Sequence, residues 1–173
     1  MSDKQTEMQQ EEQQKLHDLY LGLGTNLGNK AENISHAVRI LGEKLGEVIA
    51  VSSLYETKPV GFVSENDFIN AACYIKTTFD PFRVLEITQQ IEKEMGRKTK
   101  SAGHTYSDRI IDIDILMFDD LIINSDELVL PHPHLHERGF VLFPLYDIAK
   151  EQFHPLLEKT IAEIKNEYEE KSL

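Results

Sequence analysis

Two aspartates, Asp112 and Asp114, stand one residue apart in the apolar run 110–118 (IIDIDILMF). Side chains alternate across a β-strand, so an i, i+2 pair shares one face while Ile111, Ile113 and Ile115 enter the core on the other. Two carboxylates held this close repel each other unless a cation lies between them or the face is fully solvated. Mg²⁺ suits such a pair, because it is commonly held by one or two carboxylates and completed by substrate phosphates and water. A solvated strand face in an acidic protein is the competing reading. The segment just before the strand, residues 97–109 (RKTKSAGHTYSDR), has four basic residues against one acid, a local charge of +3. It lacks a periodic apolar stripe, and structureless segments of this length are commonly functional loops. Arg97 and Arg109 bracket it, and cationic side chains beside a magnesium-seeking pair are what a polyphosphate site requires.

Other segments carry weaker signals. His132, His134 and His136 fall at alternate positions and offer a zinc alternative, but Pro133 interrupts any regular strand and no Cys or HExxH accompanies them. The run from Gly22 to Gly28 (GLGTNLG) approaches a dinucleotide fingerprint, yet Leu27 replaces its third glycine and no parallel crossover follows. GxxxxGK[ST] does not occur, so a P-loop is excluded. Phe68 and Phe140 could wall a planar ligand whose edge is read by the Asn70 amide, which both donates and accepts.

The elements that must position these residues follow from periodicity. Residues 19–23 form a short strand-like run. Ile34, Ala37, Val38, Leu41 and Leu45 then recur at helical spacing, with Asn29 as N-cap and Glu32 three residues on. Residues 48–55 and 68–78 read as strands joined by a loop holding Pro59 and Gly61. Asp80-Pro81 starts a second helix whose stripe is Val84, Ile87, Ile91 and Met95. With 110–118 the order is βαββαβ, which predicts an α+β, ferredoxin-like core: an antiparallel sheet with helices on one face. Beyond it lie residues 121–130, an apolar segment at 140–145, and a terminal helix with Leu157, Ile161, Ile164 and Tyr168 in register. Residues 1–17, with five Gln, read as a flexible polar tail without the features of a secretory signal, leaving 18–173 as one domain.

Composition narrows the function classes. The 173 residues hold 18 Lys and Arg against 30 Asp and Glu, a net charge of −12, which disfavours nucleic-acid binding through phosphate neutralisation. No stretch reaches the roughly 20 apolar residues of a membrane span. The one cysteine, Cys73, lies in an apolar run and reads as an inert buried thiol, which fits a reducing, cytoplasmic compartment.

Taken in order, Gly24-Thr25-Asn26-Leu27-Gly28, Ser52-Ser53-Leu54-Tyr55-Glu56-Thr57, Phe68-Ile69-Asn70-Ala71-Ala72, Gln89-Gln90-Ile91-Glu92, Gly96-Arg97, Asp112-Ile113-Asp114-Ile115-Leu116 and Pro131-His132-Pro133 with Arg138-Gly139-Phe140 resemble 6-hydroxymethyl-7,8-dihydropterin pyrophosphokinase. The likeness spans residues 18–157. It implies transfer of the β,γ-diphosphoryl unit of ATP to the pterin hydroxymethyl group, releasing AMP, a step of folate biosynthesis. It also implies two Mg²⁺ ions and a monomer.

Position by position, the resemblance makes Asp112 and Asp114 the ligands of both magnesium ions and, with Arg97 and Arg109, the catalytic set. Arg97, Lys100, Arg109, His132 and Arg138 would contact the phosphates, Gln89 and Glu92 would lie along the nucleotide, and Leu85 and Ile115 near the adenine. Phe68 and Phe140 would sandwich the pterin, with Thr57, Lys58, Val60 and Asn70 on its hydrogen-bonding edge. Where the family commonly has Trp-Gly-Pro-Arg this chain has Tyr106-Ser107-Asp108-Arg109, so Tyr106 stands in for the tryptophan and Asp108 sets an acid beside the phosphate clamp. Two rival readings remain at this point: a non-catalytic small-molecule sensing module, which would have no need of the aspartate pair beside a basic loop, and a zinc hydrolase built on the three histidines.

Overall fold

The computed structural model describes residues 14–58, 66–96 and 110–173. Its elements are β1 (His17–Thr25), α1 (Lys30–Leu45), β2 (Gly46–Val51), β3 (Tyr55–Thr57), β4 (Phe68–Thr77), α2 (Pro81–Glu94), β5 (Asp112–Phe118), β6 (Ile123–Asn124), β7 (Val129–Leu130), α3 (Gly139–Ala149), β8 (Phe153–His154), β9 (Lys159–Thr160) and α4 (Ile161–Lys171). The main sheet runs β2-β4-β1-β5 with β3 added on β4, and every pairing is antiparallel. This is the expected ferredoxin-like order, with each helix crossing over to a strand that is not the neighbour of the one before it.

The caps fall where the residue types place them. Asn29 accepts a hydrogen bond from the Glu32 backbone N–H at 3.2 Å, and Asp80 accepts from the N–H groups of Phe82 and Arg83 at 2.9 and 3.0 Å with Pro81 at the first helical position. Each arrangement satisfies amide donors that a helix start leaves without an internal partner.

α1 and α2 bury their apolar stripes, Ile34, Ala37, Leu41 and Leu45 with Val84, Ile87 and Ile91, against one face of the sheet, where they meet Leu19, Leu21, Leu23, Cys73, Ile75, Ile113 and Ile115. The C-terminal elements occupy the other face. Leu142, Leu145 and Ala149 of α3 and Ile161 and Ile164 of α4 pack on Tyr20, Ala72, Leu116 and Met117. Asp112 and Asp114 project on that second face beyond the part the C-terminal helices cover, so the site is the uncovered remainder of an otherwise buried surface.

Several boundaries differ from expectation. β1 begins at His17, within the expected tail; its Nδ1 lies 2.7 Å from Asp119 Oδ2. The single strand expected over 48–55 is two, β2 and β3, broken at Ser52. There the Ser52 hydroxyl accepts from the Ala72 backbone N–H at 2.8 Å, taking over a ladder bond and letting the chain turn. α4 starts at Ile161, not at Leu157, because Thr160 and Glu163 form a reciprocal capping box. Residues 1–13 of the expected tail lie outside the described residues. Cys73 is fully buried, and burial pushes its thiol up to about 12, which makes it inert.

Candidate active site

The cleft forms where β1, β4 and β5 run side by side under the start of α3. β5 contributes Asp112, Asp114 and Leu116; β1 contributes Gly22 and Gly24; β4 contributes Phe68 and Asn70; Thr57 and Lys58 come from the end of β3; and Arg138, Phe140 and Val141 from the start of α3. Its space, open mouth included, is about 790 Å³.

Register explains why these residues converge. Gly22 pairs with Asp114 and Gly24 with Asp112 on one side, while Gly22 pairs with Ala72 and Gly24 with Asn70 on the other. The aspartates and Asn70 therefore stand on either side of a stretch of β1, Gly22 to Gly24, that has no side chain on that face. A Cβ on Gly24 would come within 3.3 Å of Asn70 Oδ1, and one on Gly22 within 3.3 Å of Leu116 Cδ2. The glycines are the floor. Their i, i+2 spacing in a strand was the sequence signal for this, and it points to close approach by a ligand, not to a dinucleotide turn.

Below the aspartates the register slips between Tyr20 and Leu21, opposite Met117 and Ile115. Leu116 is the extra residue. The slip sets Leu116 and Met117 against the C-terminal helices together and ends the polar part of the face.

Asn70 is 7% exposed and donates from Nδ2 to Thr57 Oγ1 at 2.8 Å, which orients its amide. The Arg138 guanidinium carbon lies 5.9 Å from the centre of the Phe140 ring, within cation–π reach.

Two half-exposed carboxylates sharing one face of a cleft match the donor set of a loosely held Mg²⁺, which takes the rest of its ligands from substrate and water. Among the described residues no group of three His, Cys, Asp or Glu is placed to hold a metal. That rules against a zinc centre on His132, His134 and His136. The His134 and His136 rings turn to Glu137, at 2.9 and 3.5 Å, and His132 Nδ1 accepts from the His134 backbone N–H at 3.2 Å.

Of the expected site residues, Thr57, Lys58, Phe68, Asn70, Asp112, Asp114, Arg138 and Phe140 meet in the cleft. Leu85, Gln89, Glu92, Ile115 and His132 do not line it. Ile115 is buried in the helix-side core with Leu85 packed against that cluster, and Gln89 is exposed on α2. Glu92 is 2% exposed and accepts a hydrogen bond from the Ile113 backbone N–H at 3.0 Å, so it reaches the edge of β5 between the two aspartates. His132 holds the same edge, donating its backbone N–H to the Leu116 carbonyl at 2.8 Å. Val60, Arg97, Lys100, Tyr106 and Arg109 lie outside the described residues. The floor glycines, Leu116 and Val141 line the cleft without having been singled out as site residues.

Residues 20–150 match the model of the family described as 7,8-dihydro-6-hydroxymethylpterin-pyrophosphokinase (HPPK). The chain is 44% identical over 132 residues, 76% of its length and 90% of the relative's, to the 2-amino-4-hydroxy-6-hydroxymethyldihydropteridine pyrophosphokinase of Porphyromonas gingivalis. It is 41% identical over 133 residues to the protein of that name from Bacillus subtilis, covering 78% of it. In fold it is similar to a Plasmodium falciparum HPPK-DHPS crystal structure, with a TM-score of 0.71 and 22% identity over 91% of this chain. The present chain spans 44% of that longer one.

Proposed function

Because the chain belongs to the 7,8-dihydro-6-hydroxymethylpterin-pyrophosphokinase family, we propose that it transfers the β,γ-diphosphoryl group of ATP to the hydroxymethyl group of 6-hydroxymethyl-7,8-dihydropterin, in folate biosynthesis. The observation that supports this reading best is the meeting of Asp112 and Asp114 with Phe68, Asn70, Phe140 and Arg138 in one cleft. Metal-binding carboxylates, aromatic walls, an amide and a cation are what a planar heterocycle and a phosphate chain each require.

In the proposed reaction the pterin hydroxyl oxygen bonds to the β-phosphorus, the bond from that phosphorus to the α,β-bridging oxygen breaks, AMP leaves, and the hydroxyl proton is lost to solvent. Two Mg²⁺ ions held by Asp112 and Asp114 would supply positive charge to the transferring group. Phe68 and Phe140 flank the ring, and Asn70, oriented by Thr57, reads its edge together with Lys58 and Val60. Arg138 contacts the phosphates. Arg97, Lys100, Arg109 and His132 share that role in the proposal, and Tyr106 is assigned to the pterin. In the proposal Leu85, Gln89 and Ile115 lie near the nucleotide, and Glu92 acts through the strand whose Ile113 N–H it accepts. Rate enhancement comes from positioning and fixed charge, with no covalent intermediate on the enzyme. The working form is a cytoplasmic monomer that engages neither nucleic acid nor membrane; no helix among the described residues is long and apolar enough to cross one.

Product analysis after incubation with ATP, Mg²⁺ and the reduced pterin tests the proposal. Stoichiometric AMP with the pterin diphosphate is the expected result. ADP would make it an ordinary kinase, and absence of any product would overturn the activity.

A further inference from the structure

β3 is the least supported wall of the cleft. It has three residues, lies off the main path of the sheet, and among the described residues pairs with β4 alone, through Tyr55–Asn70, Glu56–Ile69 and Thr57–Phe68. Yet it presents Thr57 and leads to Lys58, both lining the cleft. A strand this short needs a second anchor to hold its place.

α3 provides one. Near its C-terminal end the Asp147 carboxylate accepts the Ser53 backbone N–H on Oδ2 at 3.1 Å and the Tyr55 hydroxyl on Oδ1 at 2.8 Å. Each oxygen takes one donor, from either side of Leu54. Burial, then the hydrogen bond to Asp147 and its charge, push the Tyr55 phenol up to about 12, so it stays a donor at neutral pH. The same helix carries Phe140 and Val141 at its N-terminal end, and Leu142, Pro144, Leu145 and Ala149 bury it on the sheet. One rigid element thus sets two walls: Phe140 directly, and Thr57 through Asp147.

We infer that Asp147 is a positioning residue, which fixes β3 against α3 and thereby sets the separation between the Thr57–Asn70 edge and Phe140 without touching substrate. The inference rests on the activity proposed above. Asp147 and Ser53 are exposed, and exposed polar contacts add little to global stability. The effect of losing this one is therefore positional, confined to the pterin side of the cleft.

Asp147→Ala, Tyr55→Phe and the double variant test it through steady-state kinetics, thermal unfolding and amide exchange. For Asp147→Ala the KM for the pterin rises about tenfold, the loss expected for hydrogen bonds to a charged group, while kcat and the KM for ATP stay within about twofold. Exchange quickens at residues 55–57 but not in β1 or β5. Tyr55→Phe has a smaller effect in the same direction, and the double variant is no worse than Asp147→Ala. An unchanged pterin KM with unchanged exchange at 55–57 overturns the inference. So does a parallel change in kcat and both KM values with a lowered Tm, the mark of a merely structural contact. If the wild type forms no AMP, the activity reading fails on that result alone; amide exchange and equilibrium binding of 6-hydroxymethylpterin to the same variants then decide the role of Asp147.

Discussion

Asp112 and Asp114 are the residues on which the proposed chemistry turns, and their roles separate cleanly from folding. Both are half-exposed on the open part of a sheet face, so neither side chain fills the core. Replacing either by Ala should lower AMP formation by about 10³-fold or more, since a single carboxylate cannot organise the metals. Urea unfolding of either variant should match the wild type. An active Asp112→Ala enzyme would refute the assignment. Phe140 belongs to the other half of the site. Phe140→Ala should raise the KM for the pterin by about tenfold or more through lost ring contact, with the KM for ATP nearly unchanged; equal shifts for both substrates would move Phe140 out of the pterin wall. At this scale the sequence was informative wherever a residue type is rare in its setting: paired acids in an apolar strand, or aromatics bracketing an amide. Glu92 was not legible in the same way. Nothing in an exposed-looking helical pattern says that one carboxylate turns inward to a strand edge 21 positions away.

Among the elements, β5 bears the greatest constraint, because it is an edge strand that must hold two acids in place. Its inner edge is paired with β1, and on its outer edge Glu92 accepts from Ile113 while Leu116 accepts from His132. Ile113 sits between the aspartates, so Glu92 steadies both. Glu92→Ala would leave a buried N–H without that acceptor and cost about 2 kcal/mol, a fall in Tm of roughly 4–8 °C for a domain of this size. Glu92→Gln keeps an acceptor and should recover most of that loss, as measured by chemical denaturation; equal destabilisation by both would show that the charge, not the hydrogen bond, matters. The helices and long strands were readable because periodicity and caps are local. The break at Ser52 was not, since the bonds that replace the ladder come from Ala72 and Asp147, both far along the chain. The start of α4 could have been read from the Thr160–Glu163 capping pair, a signal that the apolar register through Leu157 obscured.

As a whole, the molecule is a sheet covered on one side by α1 and α2 and on the other, in part, by α3 and α4. The C-terminal layer also introduces a pH dependence. His154 is 3% exposed and its Nδ1 accepts the Leu157 backbone N–H at 3.1 Å. Burial, and then the charge of His136, hold this imidazole below its ordinary value. The unfolded chain therefore binds a proton at this position more readily than the folded one. The stability it contributes is full above about pH 6.5 and declines as the pH falls below that. The urea midpoint should drop between about pH 7 and 5, and His154→Asn, whose side-chain oxygen can replace the Nδ1 acceptor, should flatten that slope; an unchanged slope would locate the titration elsewhere. The order of elements, the ferredoxin-like topology and the shared face of Asp112 and Asp114 were determined by the sequence itself, because alternation, helical spacing, caps and rare residue types are properties of neighbours in the chain; Thr57, Lys58 and Arg138 were named only through the resemblance to the pyrophosphokinase family. Only the tertiary structure decided that Gly22 and Gly24 floor the cleft, that Glu92 turns inward to β5, and that α3 ties β3 to Phe140. Those facts depend on register and packing between segments tens of residues apart, which local chemistry leaves open.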